Sequence, residues 1–96
     1  MRNELYKQNT GVLVNNFYQL VIHNDDFTPM EFVVGILEKF LFMDRRQAAA
    51  VMMEAHQYGK AVCGFFTKDV AESKLEQIQD SALECEHPLV CSMEAA

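Results

Sequence analysis

The residues best suited to chemistry form one short run, His23-Asn24-Asp25-Asp26, with His56 as a distant complement. Asn24 offers an amide carbonyl and the two aspartates offer carboxylates, all of them hydrogen-bond acceptors. Side chains of adjacent residues point apart, so Asp25 and Asp26 do not suit a general acid/base pair. They suit a site for a cation. An Asx turn followed by a helix cap is the plainer reading of the same residues. His56 lies four residues after Met52, on the same helical face. A lone histidine beside apolar residues is usually a packed or surface residue, and it becomes a ligand only with partners. Cys63, Cys85 and Cys91, with His87, match none of the paired zinc spacings and read as buried apolar thiols. There is no glycine-rich phosphate loop, nucleophile elbow or metalloprotease motif. The expectation is a protein without catalytic residues, metal or cofactor. The enzyme-class alternative is a metal-assisted hydrolase built on Asp25, Asp26 and His56.

The elements that must position these residues follow from periodicity. Tyr18, Leu20 and Ile22 alternate with Phe17, Gln19, Val21 and His23, which predicts a half-buried strand over 17–23. Thr28-Pro29-Met30-Glu31 predicts a helix start, with Thr28 as N-cap, Pro29 in the first helical position and Glu31 closing a capping box. Met30, Val33, Val34, Leu37, Phe40 and Leu41 share one face of that helix. Asp44-Arg45-Arg46-Gln47 predicts a second capping box, before a helix that turns Ala48, Val51, Met52 and Ala55 inward and ends at Gly59. A strand over 61–66 follows. Thr67 then caps a third helix with Asp69 in its first turn and an inward stripe of Ala71, Leu75, Ile78, Ala82 and Cys85. Pro88 stops that helix, and 89–93 form a last strand. The order β-α-α-β-α-β predicts an α+β fold, a three-stranded sheet with three helices on one face. Residues 1–16 are polar and aperiodic and read as a flexible arm before a core over 17–96.

Composition narrows the class. The chain has 96 residues and a net charge of −6, with a pI near 4.9. It is the length of one small domain. The acidic balance disfavours nucleic acid, whose phosphates need clustered cations, and favours cationic partners. No apolar run approaches the roughly 20 residues of a membrane span. Neither does the polar start resemble a secretion signal, so the expectation is a cytoplasmic chain with three free thiols.

Four blocks resemble the ClpS adaptor family in order and spacing: His23 to Val33, Met52 to Gly64, Val70 to Lys74, and His87 to Cys91. Together they span about 17–94, leaving out only the arm. The resemblance implies a small α/β sandwich without catalytic activity. It implies an adaptor of the bacterial Clp protease that binds N-degrons of the N-end rule. Such an adaptor holds the free α-amino group and the large side chain of an N-terminal Leu, Phe, Tyr or Trp, and delivers the substrate to a ClpA-type AAA+ unfoldase. The alternative is a generic protein–protein module without N-terminal selectivity. By the same resemblance the α-amino site falls on Asn24, Asp25, Asp26 and His56. The side-chain pocket falls on Ile22, Thr28, Met30, Val33, Met52, Ala55 and Leu89, with Met30 as a gate against β-branched residues. Contacts to the N-domain of the unfoldase fall near Asp69 and Lys74. The chain departs from the family pattern at Phe27, where Tyr is common, at Ala55, where Val is frequent, at Asp69, where Glu is usual, and at His23, often aliphatic.

Overall fold

The computed structural model describes residues 17–96; the arm assigned to 1–16 lies outside them. Six elements follow in the order β1 (Phe17–His23), α1 (Met30–Leu41), α2 (Arg45–Tyr58), β2 (Lys60–Thr67), α3 (Lys68–Glu84) and β3 (Val90–Ala95). The strands form one sheet in the order β2-β1-β3, and both pairings are antiparallel. This is the three-strand, three-helix α+β arrangement that the element order predicts.

β1 runs down the centre, and that position overrides its alternating pattern. Leu20 and Ile22 face the helices within the main core. Val21 alternates to the other face yet is only 1% exposed; it lies between Val62 and Ser92, just after the register shift between Leu20 and Val21. The strand is therefore buried on both faces at its middle, not half-buried as alternation alone suggests. The main core gathers Leu20 and Ile22 with Leu37 of α1, Ala48 of α2 and Ile78 of α3, so all three helices cover one sheet face.

The helix ends show where local signals act and where they do not. Asp44 Oδ1 accepts from the Gln47 amide at 2.8 Å, the expected N-cap of α2. Gly59 ends that helix at φ 93°, with its N–H donating to Ala55 O. α1 instead begins one residue later than predicted. Pro29 is extended and occupies the cap position, and no side chain caps the helix. The Thr28 hydroxyl donates to Asp25 Oδ2, and Glu31 pairs with Arg45 of α2 rather than closing a capping box. Thr67 occupies the N-cap position of α3, but its hydroxyl makes no capping bond.

α3 also ends before its predicted stripe is complete. Glu86 N donates to Leu83 O and His87 N to Ala82 O, while Glu86 takes φ 59°. This Schellman closure turns the chain away at Cys85, which is exposed and not inward-facing. β3 starts at Val90, leaving Leu89 just outside it. Leu89 is still 3% exposed, pinned because Gln79 Nε2 donates to its carbonyl at 3.0 Å and Gln79 Oε1 accepts from Cys91 N at 2.6 Å.

Candidate functional site

β1, the loop after it, α1 and α2 enclose a cleft of about 310 Å³. That volume is at the small end of the range for ligand sites. The cleft reaches every residue expected in the α-amino site and the side-chain pocket. Ile22, Val33, Ala55 and Leu89 are buried and form an apolar floor, with Met52 half-buried beside them. Asn24, Asp26 and His56 are exposed at the rim. Met30, the first residue of α1, is 48% exposed and stands over the cleft edge.

One long-range hydrogen bond brings the rim together. Asn24 N donates to Gly59 O at 2.8 Å, tying the end of β1 to the end of α2. His56, on the last turn of α2, is thereby carried to the Asn24 side of the cleft. Gly59 is suited to this because its left-handed conformation costs other residues roughly 1–2 kcal/mol. Gly59→Ala should therefore lower stability by about that amount and loosen the rim, as read by urea denaturation; an unchanged midpoint would refute the requirement. The C-terminal end of α2 also lies at this rim, and its partial negative charge favours a cation there.

The two aspartates have separate roles. Asp25 Oδ1 accepts from the amides of Phe27 at 2.8 Å and Thr28 at 2.7 Å, and Oδ2 accepts from the Thr28 hydroxyl at 2.8 Å. Asp25 thus closes an Asx turn, and both its oxygens are engaged inside it. Asp26 is exposed beside the turn. Partial burial pushes the Asp25 carboxyl up, but the bonds from Thr28 and Phe27, with His87 nearby, outweigh it and hold the carboxyl below the ordinary carboxylate range. A depressed acid stabilises the fold when ionised and loses that contribution as pH falls through its folded pKa. The turn should stay closed at neutral pH and open only below the ordinary value of 3.8. The amide resonances of Phe27 and Thr28 should report this in an NMR titration. A transition above that ordinary value would contradict the assignment.

The cleft also has neighbours outside the expected α-amino and side-chain sets: His23, Phe27 and Pro29 line it too. The His23 ring bonds Ser92 Oγ at 2.8 Å. Phe27 is the residue after the acidic pair, and its position next to the turn was the available signal. Asp69 and Lys74 do not line the cleft. They are five residues apart on α3, about 140° around the helix, so a partner touching both must straddle it. Lys74 is half-buried: its Nζ donates to Phe40 O at 2.9 Å and sits 4.7 Å over the Phe42 ring.

Cys63 and Cys91 are buried and free. Burial pushes both thiols up to about 12, so they remain neutral and poorly nucleophilic. Among the described residues no group of three His, Cys, Asp or Glu side chains is placed to hold a metal ion. No helix among them is long and apolar enough to cross a membrane.

A three-stranded α+β sandwich with an acceptor-rimmed apolar cleft defines a small ligand-binding domain, and the comparisons identify which one. The profile of the family described as "ATP-dependent Clp protease adaptor protein ClpS" matches residues 15–92. The ATP-dependent Clp protease adapter proteins ClpS of three Vibrio cholerae O1 strains are each 49% identical over 92 residues, 96% of this chain and 87% of theirs. A solved structure of Agrobacterium tumefaciens ClpS2 bound to L-phenylalaninamide superposes with a TM-score of 0.83 at 34% identity, over 85% of this chain and 99% of that one. The chain belongs to the ClpS family of Clp protease adaptors.

Proposed function

We propose that this adaptor reads the N-terminal residue of substrate proteins and delivers them to a ClpA-type AAA+ unfoldase in the cytoplasm, without catalysing a reaction itself. One observation carries the reading: a single cleft has acceptors at its rim and an apolar floor. A free α-amino group is an ammonium with three donors. The Asn24 side-chain carbonyl, a His56 ring nitrogen and the Asp26 carboxylate meet it at the rim. Asp25 contributes by fixing the turn that presents Asn24 and Asp26. The side chain of an N-terminal Leu, Phe, Tyr or Trp fills the floor between Val33, Met52, Ala55 and Leu89. The phenylalaninamide bound to Agrobacterium tumefaciens ClpS2 has the same two features, an amine and an aromatic side chain.

Magnitudes explain why both are needed. Hydrogen bonds to a charged group contribute roughly 1.5–3 kcal/mol each, and burying a Leu or Phe side chain roughly 1.5–3 kcal/mol. Association itself costs roughly 4–15 kcal/mol. At the middle of these ranges neither term alone offsets that cost, so binding needs both features at once. Unfoldase contact is assigned to the α3 surface around Asp69 and Lys74, outside the cleft, so substrate and unfoldase can be held at once. Titration into fluorescent peptides beginning Leu, Phe or Gly tests the reading. Leu and Phe should bind and Gly should not; equal binding of all three would leave a generic interaction module instead.

A further inference from the structure

We propose that Phe27 forms a subsite for the second residue of the substrate and selects apolar, above all aromatic, side chains there. The inference rests on the N-terminal binding mode proposed above and adds a second determinant to it. Phe27 lines the cleft but is 79% exposed, and its ring is absent from the core. Folding therefore does not account for an aromatic residue at this position. Its backbone is firmly mounted, because Asp25 Oδ1 accepts from its amide and from the next one. The ring thus stands on a fixed turn, one residue after Asp26, and lines the same cleft.

Substrate geometry brings the second residue to the same place. Consecutive Cα atoms are 3.8 Å apart, and in an extended chain successive side chains point to opposite sides. With the first side chain in the floor, the second leaves the cleft at the rim. A ring fixed on that rim offers apolar area to it, and an aromatic partner adds offset or edge-to-face stacking.

The test uses the full chain and peptides that share Leu at position one and carry Phe, Leu or Ala at position two. The quantity read is the ratio of Kd values within one protein. In the wild type the Phe peptide should bind roughly three- to tenfold tighter than the Ala peptide, the span that an aromatic contact supports. Phe27→Ala should bring that ratio to about one, and Phe27→Tyr should keep it. A wild-type ratio of one, or a ratio unchanged in Phe27→Ala, overturns the proposal. N-acetylated copies of the peptides run alongside. If they bind as well as the free ones, the binding mode itself is wrong; if only the free ones bind but the ratio is flat, the mode holds and the Phe27 subsite fails.

Discussion

Acetylating the N-terminus of a Leu-first peptide should weaken its binding by at least about a hundredfold. Acetylation removes the positive charge and leaves one amide N–H in place of three ammonium donors. Losing two charge-assisted bonds at roughly 1.5–3 kcal/mol each amounts to roughly 3–6 kcal/mol, or about 10² to 10⁴ in Kd. The rim reinforces the effect. The chain carries a net charge of −6, Asp26 is exposed beside the cleft, and α2 ends there at Gly59. An uncharged acetamide has little to gain from any of these. The apolar floor is unchanged by acetylation, so whatever binding persists comes from the side chain and the one remaining N–H. Fluorescence anisotropy with the free and acetylated peptides at matched salt gives the ratio. Equal affinities would remove the ammonium from the account and leave a hydrophobic cleft with no reason to require a chain end.

The second large effect is expected at Met30. Met30→Ala should raise the affinity of Ile-first and Val-first peptides by roughly ten- to a hundredfold, while Leu-first peptides change by only a few-fold. A branch at Cβ places a second methyl close to the substrate backbone, at the cleft edge and not in its floor. Met30 stands at that edge, on the first turn of α1, 48% exposed. Leu carries its branch one carbon deeper, beyond the methionine. Steric rejection of one carbon in an apolar site is worth roughly 1–3 kcal/mol, which sets the fold-change above. Met30 is not part of the main core cluster, so truncation should leave the fold intact; circular dichroism and an unchanged melting temperature would establish that. If Ile-first peptides bind Met30→Ala no better than the wild type, the discrimination lies deeper, and the floor residues Val33 and Met52 become the ones to replace.

What the sequence by itself determined is mostly local. Asp44 and Gly59 mark the ends of α2 because capping and left-handed conformations depend on a few neighbouring residues. The element order and the α+β class follow from periodicity, and the acidic balance follows from counting. The four family blocks contain every residue expected at the cleft except Ile22, and those residues line one cleft in the structure. The tertiary structure decided the rest. Only the sheet order shows that β1 is central and that Val21 is buried between Val62 and Ser92. Only the folded turn shows that Asp25 is occupied by Thr28 and Phe27 whereas Asp26 is exposed, although both are aspartates one residue apart. The Asn24–Gly59 bond joins residues 35 positions apart and gives the cleft its rim. Likewise Lys74 reaches back to Phe40 O, 34 positions earlier. These outcomes depend on which groups compete for a hydrogen bond or a space once distant segments meet. Local propensity contains no information about that competition.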